Sequence, residues 1–542
     1  MTDYETLRRQ FTWRIPERFN LGVACSDAHP AHRPALIAID RLGRPTTYTF
    51  GHLSRLSNRL ANVLAGLGVV QGDRVGVVVP QSLAAGVAHL AIWKLGGVSL
   101  PLASLFGPDA LAYRLADSGA KAVIVSPENV DKVAEAAPDL PRLVTGDHLE
   151  GMMDSASDRF QPVESSSQDP AYLIYTSGTT GPPKGALHAH RSLFGHLPGF
   201  ECYYEFADVA PEGRTDLATL PSSRPGDRHD LIWTPADWAW IGGLMDVLVP
   251  SWYFGITVLT ADHDFDPEWA ADLMADHRVT LTFLPPTALK MMRAAGVTRA
   301  SGLRLRAVFT GGEPLGEEML AWGREGLGAP INEGYGQTEA NLVVGNCSSV
   351  WPVRPGSMGR PLPGHDVQVQ DEEGRRLIGE VGEICVAAPD PVIMLGYWNR
   401  PDATAEKFRD GWLLTGDLGM EDPDGYLWFV SRKDDVISSM GYRIGPGEIE
   451  DCLMGHPAVA LCAVVGVPDD LRGQVPAAFV VLRPGMEPSD RLAAELQDHV
   501  RVRLAAHEVP RHVRFVDDLP RTTTGKIMRR ALRAAWEEGI SS

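Results

Sequence analysis

The sequence predicts an α/β protein: a large N-terminal domain of two α/β layers with a small β-rich part, then a small α+β C-terminal domain. Three observations carry this. Apolar runs alternate with amphipathic stretches at helical spacing through the first three hundred residues, as in a parallel sheet covered on both faces. After Ser349 the texture changes to short runs with period-2 alternation, the mark of antiparallel strands. The chain's 542 residues exceed what one hydrophobic core supports.

Taken in order, residues 55–67 (RLSNRLANVLAGL) carry apolar side chains at helical spacing. The turn QGD follows, then the apolar strand 75–79 (VGVVV). Residues 84–95 form a second helical stretch before the strand in VSLPL, and residues 110–117 a third before the strand in KAVIVS. Residues 155–169 are polar and Ser-rich, a loop. The alternation returns with a helix over 268–277, the strand LTFL, a helix over 287–295 and the strand RAVFT. Further on, HDVQVQD, GEICVAA and GYLWFVSR are punctuated by DEEG and PDG turns, so residues 350–430 read as a β subdomain. A last block pairs the helices GEIEDCLMGH and RLAAELQDHVRVRL with the strands AVALCAVVGV and AAFVVLRP. The domains drawn from this texture are 1–432 and 435–542, joined at 433–435.

Composition excludes several functions. Fifty basic against 69 acidic residues give a net charge of −19, which repels polyanions and argues against nucleic acid as a partner. The longest apolar run, 458–467, falls far short of the roughly 20 residues a membrane helix needs, so no membrane insertion is expected. The N-terminus MTDYETLRRQ has no leader pattern. The six cysteines form no CxxC pair. They read as free thiols in a reducing cytoplasm, not as a zinc site or disulfide framework.

The most informative segment follows the strand 172–175. TSGTTGPPKG, residues 176–185, sets Thr176, Ser177, Thr179 and Thr180 among Gly178, Gly181 and Gly185, with Lys184 near its end. Glycines free backbone N–H groups, hydroxyls add donors and the lysine adds charge, a set suited to polyphosphate oxygens. A flexible surface turn is the plainer alternative. The P-loop pattern GxxxxGK[ST] is not met here, nor at TTTGKIM, where Pro520 stands in place of the first glycine.

This segment resembles the phosphate loop of the AMP-forming acyl-CoA synthetases, the adenylate-forming superfamily shared with nonribosomal-peptide adenylation domains and luciferases. GGEP (311–314), GYGQTE (334–339), LLTGDLG, SRKDDVISSMGYRIGPGEIE (431–450) and PRTTTGKIMRR resemble its further motifs in the same order, over roughly residues 40 to 535. The resemblance implies a β-barrel subdomain, a mobile C-terminal domain, and ligation of a carboxylic acid to CoA through an acyl-adenylate, with ATP and CoA as co-substrates and Mg²⁺ as cofactor.

It also implies roles. Joining a carboxylate to an α-phosphate brings two anions together, which requires cations and donors where charge develops. Lys526 becomes the bridging cation. With only eight lysines among the fifty basic residues, two inside phosphate-type motifs are hard to ascribe to accident. Glu339 becomes the Mg²⁺ carboxylate and Thr338 an α-phosphate donor. Gly312, Glu313, Pro314, Tyr335, Gly336 and Gln337 line the nucleotide, and Asp417 with Arg432 takes the ribose. Asp434 becomes the pivot, and Gly441, Tyr442 and Arg443 the CoA channel. Each has a plainer reading as a turn, surface or core residue.

Trp238 and Trp240 match the segment shaping the acyl pocket, although tryptophan pairs more often pack in a core. Asp237 does not establish an amino-acid substrate. Acetate-specific relatives carry tryptophan at the position of Gly336. Glycine there is expected to leave space for a medium-chain, branched, cyclic or aromatic acid. The rival readings are an adenylating enzyme loading a carrier protein and a non-catalytic nucleotide-binding regulator. The context of Lys526 resembles lysines silenced by a protein acyltransferase. The oligomeric state is not legible.

Overall fold

The protein is described by a computed structural model covering residues 3–176, 182–206, 230–312, 315–439, 442–469, 472–504, 508–522 and 527–539, with the side chains of residues 434, 438, 442, 443, 448 and 473 left aside. It divides into two compact units. The first holds residues 1–367, 386–413 and 424–427, and the second residues 368–385, 414–423 and 428–542. This division differs from the one drawn from the sequence. Much of the 350–430 β segment falls in the second unit, and residues 433–435 lie inside it as the short helix Lys433–Asp435.

In the first unit the two expected layers are two sheets. One has seven strands, in the order Gly396–Tyr397, Lys184–Ala189, Pro170–Thr176, Val98–Pro101, Arg74–Val78, Ala122–Val125 and Arg142–Val144. Its central strands pair in parallel and are buried on both faces, so an unbroken Val/Ile run forms them instead of an alternating one. The other sheet has nine strands, and its parallel centre is Ala307–Gly311, Leu281–Phe283, Leu231–Trp233 and Thr257–Ala261. The first of the helices read from the sequence spans Phe50–Gly66, beginning five residues before its apolar pattern. Thr49 accepts from the His52 N–H at 3.3 Å while its own N–H donates to His52 Nδ1 at 3.1 Å. This is a capping box with histidine where glutamate is usual, and so escaped pattern reading. Trp93 and Trp252 are fully buried with their indole N–H groups donating to the carbonyls of Ala171 and Ala35.

The second unit contains most of a five-stranded sheet (Val367–Gln370, Val381–Ala387, Trp412–Glu421, Phe408–Arg409 and Leu427–Arg432). Its other sheet joins Ile437–Ser439 and Tyr442–Ile444 to the long hairpin Val459–Asp469 and Gly473–Leu482, with His512–Phe515 parallel alongside. Helix Pro446–Met454 buries Ile449 and Leu453 in the same apolar cluster as Leu496 and Val500 of helix Asp490–Arg503.

Candidate active site

Strands Pro170–Thr176 and Lys184–Ala189 run antiparallel, and their last pair is Thr176 with Lys184. The glycine-rich connection is therefore anchored at both ends by the sheet. Thr176 donates its hydroxyl to the Lys184 carbonyl at 3.4 Å. Ser177, Gly178, Thr179, Thr180 and Gly181 lie outside the described residues. The Lys184 ammonium stands 5.3 Å from the centre of the Tyr397 ring.

Strands Ile331–Gln337 and Ala340–Gly345 form a hairpin whose final pair is Gln337 with Ala340. Thr338 and Glu339 are thus its two-residue tip. The register shifts between Tyr335 and Gln337, at Gly336, and opposite this bulge Leu342 takes a φ of 53°, a conformation uncommon for a branched side chain. A Cβ on Gly336 would stand 2.4 Å from the Leu342 amide nitrogen and 2.8 Å from the Asn341 Cα. A side chain at Gly336 would therefore require the main chain of Asn341 and Leu342 to shift.

Glu339 is only 8% exposed. Tyr397 donates its hydroxyl to Glu339 Oε1 at 2.6 Å, and Met394 N–H donates to the Glu339 carbonyl at 2.9 Å. Glu339 Oε2 has no hydrogen-bond partner among the described residues. Tyr397 is fixed in turn. It pairs with Ala186 across the sheet, its N–H donates to Thr404 Oγ1 at 2.9 Å, and Trp398 N–H donates to the Gly185 carbonyl at 2.7 Å. Sequence reading missed Tyr397, because a Tyr-Trp pair between turns carries no periodicity pointing at a site. Among the described residues no three His, Cys, Asp or Glu side chains converge on one metal position. A divalent cation at Glu339 would therefore take its other ligands from substrate and water.

Gly311 ends the strand Ala307–Gly311, where a Cβ would lie 2.7 Å from the Gly334 carbonyl oxygen, and Gly312 follows at a φ of 100° that favours glycine. Glu313 and Pro314 lie outside the described residues. Tyr335, Gly336 and Gln337 are half-buried on the hairpin.

Trp238 is buried, its ring 6.4 Å from that of Trp252, which makes it a core residue. Trp240 is half-buried with its ring 5.7 Å from Phe106. Asp237 accepts from the Ala239 N–H at 3.0 Å. Another polar pair stands nearby. Asp246, in the single π-helical turn Leu244–Leu248, accepts from Asn341 Nδ2 at 2.5 Å, and burial raises its carboxyl well above the ordinary carboxylate range. These two residues lie 95 positions apart, beyond the reach of local pattern.

In the second unit, Asp417 forms an ion pair with Arg432 Nε at 3.2 Å, with Asp417 buried and the guanidinium exposed. Asp417 N–H donates to Thr415 Oγ1 at 3.1 Å, and Lys433 meets Glu383 at 3.1 Å. Asp435 pairs with Arg529 and Arg533, and Arg529 also meets Glu450 at 2.7 Å. These partners went unread in the sequence because they come from separate motifs. The side chains of Asp434, Tyr442 and Arg443 are outside those described, as are Gly441 and Lys526 entirely. Arg521 and Ile527 form a bridge, and Met528 N–H donates to the Pro520 carbonyl at 2.8 Å.

Comparison with known proteins is consistent throughout. The family model "AMP-binding enzyme" matches residues 24–398, and "AMP-binding enzyme C-terminal domain" matches residues 448–526. The chain is 35% identical to the mitochondrial acyl-coenzyme A synthetase ACSM4 of Rattus norvegicus, over 98% of this chain and 93% of that protein. It is 33% identical to the acyl-CoA ligase YtcI of Bacillus subtilis, whose description marks it as uncharacterized, over 93% of this chain and 94% of that one. Among solved structures, an acyl-CoA synthetase of Brucella canis superposes with a TM-score of 0.74 at 33% identity, covering 99% of this chain and 100% of its own. The anthranilate CoA ligase AuaEII in complex with anthranoyl-AMP gives a TM-score of 0.83 at 28% identity, covering 97% and 98%.

Proposed function

The chain belongs to the AMP-binding enzyme family and is an AMP-forming acid–CoA ligase working through an acyl-adenylate, and from that premise we propose that it activates a medium-chain, branched, cyclic or aromatic acid in preference to acetate, with Mg²⁺ at Glu339. The observation that carries the site assignment is the hairpin tip. Glu339 is buried, one of its oxygens is held by Tyr397, and the other is unpartnered among the described residues. That is the donor chemistry of a hard cation taking one carboxylate plus phosphate oxygens. Bound there, Mg²⁺ would supply charge against the triphosphate. The substrate class draws support from two similar solved structures, the anthranilate CoA ligase in complex with anthranoyl-AMP and a benzoate CoA ligase of Burkholderia xenovorans.

In this proposal the acid's carboxylate oxygen attacks the α-phosphorus and pyrophosphate leaves. Lys526 lies between the two anions, Thr338 donates to the α-phosphate, and Lys184 with the loop 176–181 takes the leaving phosphates. Tyr335 lies against the base, which residues 312–314 and Gln337 flank, and Asp417 with Arg432 takes the ribose hydroxyls. The C-terminal part then turns about Asp434, and Gly441, Tyr442 and Arg443 line the path of CoA, whose thiolate attacks the acyl carbon and expels AMP. Acylation of Lys526 by a protein acyltransferase would remove the bridging charge and stop the first step. Six free cysteines support a reducing, cytoplasmic setting. Among the described residues no helix is long and apolar enough to cross a membrane.

The test is incubation with ATP, Mg²⁺, CoA and a panel of acids from acetate to octanoate with cyclic and aromatic members, reading AMP and acyl-CoA by mass spectrometry. Acyl-CoA strongest beyond acetate is expected. Acetate as the best substrate overturns the substrate class, and adenylate without thioester points to a carrier-protein acceptor.

A further inference from the structure

Asp246 and Asn341 are polar residues in an apolar setting, and the proposed reaction uses neither. Each is 5% exposed. Asn341 follows Glu339 by two residues, and its Cα and carbonyl carbon lie 2.8 and 2.9 Å from where a Cβ on Gly336 would stand. It therefore backs directly onto the bulge behind the hairpin tip. Asp246 comes from the other side, one turn beyond Gly242. A Cβ on Gly242 would stand 3.7 Å from Asp246 Oδ2 and 3.1 Å from Phe283 Cε1. Two chain segments thus bring a carboxyl and a carboxamide together beside Gly242 and the Phe283 ring.

The pair satisfies itself only in part. Asn341 Nδ2 donates to Asp246 Oδ1 at 2.5 Å. Asp246 Oδ2 and Asn341 Oδ1 have no partner among the described residues. Neither oxygen is sealed from solvent, so a ligand group can reach both. The buried Lys94 ammonium, by contrast, is fully met: by Asp27 at 2.8 Å, Asn58 Oδ1 at 2.9 Å and the Ser54 carbonyl at 3.4 Å. Convergent polar atoms in an apolar pocket orient a ligand.

We propose that Asp246 and Asn341 form the polar end of the acyl pocket and select a carboxylic acid that carries a hydroxyl group. This rests on the ligase reading above and narrows it. A hydroxyl is the group that matches both atoms. Burial shifts the Asp246 carboxyl toward its protonated form, in which Oδ2 offers a proton to the hydroxyl oxygen, while Asn341 Oδ1 accepts the hydroxyl's own proton. An alkyl or unsubstituted ring leaves both unmatched. An ammonium would need the ionised carboxylate that burial disfavours. Sites built to hydrogen-bond a substrate group reject the analogue lacking it by far more than a methylene difference allows.

The experiment uses the full chain with ATP, Mg²⁺ and CoA, and compares matched acids of one skeleton bearing –OH, –NH₂ or –H. Benzoate with its hydroxy and amino isomers forms one series, and hexanoate with its hydroxy and amino isomers the other. In at least one series a hydroxy isomer should exceed the unsubstituted acid in kcat/KM by about 10-fold or more. In the double variant Asp246→Leu, Asn341→Leu that ratio should fall to about one, with KM for ATP little changed. Thermal-shift binding of the same acids to the unmodified enzyme gives a ranking that does not depend on the variant folding. Unsubstituted acids preferred in both series, an amino acid analogue preferred, or a ratio unchanged in the double variant would each overturn the proposal while acyl-CoA formation upholds the ligase reading. No AMP with any acid would overturn both.

Discussion

The Tyr397 hydroxyl donates to Glu339 Oε1 at 2.6 Å, across 58 positions of sequence. The same ring carries the Lys184 ammonium 5.3 Å from its centre, so one side chain touches both a proposed metal carboxylate and a proposed phosphate lysine. Tyr397→Phe keeps the ring and removes the donor. A hydrogen bond to a charged group contributes about 1.5–3 kcal/mol, so the Mg²⁺ concentration giving half-maximal pyrophosphate release should rise about tenfold, with kcat falling by a similar factor. Mn²⁺ affinity read by electron paramagnetic resonance should weaken in parallel. An unaltered metal dependence would contradict the assignment.

Gly336 and Gly66 make opposite demands. Alanine at 336 sets a methyl 2.4 Å from the Leu342 amide nitrogen, whereas at the end of helix Phe50–Gly66 nothing lies within 4 Å. Gly336→Ala should lose about 1–3 kcal/mol by overpacking and at least about tenfold in adenylation as the tip shifts. Gly66→Ala should gain about 0.5–1 kcal/mol through helix propensity. Urea denaturation midpoints check both.

Stability should peak near neutral pH. Burial holds His89, His188 and His190 at about 3 and His196 at about 4. The unfolded chain protonates them below about 6.5 while the fold does not, so stability falls as pH drops from there. Burial raises Glu333 to about 8 and Asp246 in the same direction. The fold keeps their protons where the unfolded chain has lost them, so stability also declines as pH rises toward 8. Burial also raises Asp237 and Glu450, but only Glu333 and Asp246 far, so the four imidazoles outweigh the carboxyls on the acid side. Midpoints at pH 5, 6.5 and 8 should be highest at 6.5, and a midpoint unchanged at pH 5 would contradict this account.

Arg432 pairs with Asp417 at 3.2 Å from an exposed position. Such pairs contribute about 0–1 kcal/mol to folding, so Arg432→Ala should leave the melting temperature nearly unchanged. If the pair receives the ribose, KM for ATP should rise about tenfold while KM for the acid stays within about twofold. Parallel changes in both would indicate a general structural effect.

What the sequence revealed follows from range. The loop 176–185 and the Thr338–Glu339 tip were legible because glycine and hydroxyl punctuation is local, and the two sheets because Val/Ile runs alternate with helices. Tyr397 was not, since it reaches Glu339 only through backbone bonds to Ala186 and Gly185. Nor was the Asp246–Asn341 pair, joined across 95 positions. Gly336 was legible as a glycine, but the main chain of Asn341 and Leu342 packed against it was not. The edges of the β segment were blurred for a related reason: strands Val381–Ala387 and Trp412–Glu421 each contribute to both compact units.

The glycine at 242 has a different future from the one at 336. Its would-be methyl meets one ring edge at 3.1 Å and one carboxyl oxygen at 3.7 Å, neighbours that can yield by a rotamer change, whereas main chain cannot. Divergence of substrate range on this scaffold, natural or in a laboratory library, therefore meets less resistance at 242, whereas a change at 336 must carry main chain with it. Lineages that drift in preference should record the change as size and polarity at 242 and 246, with the hairpin preserved beside them.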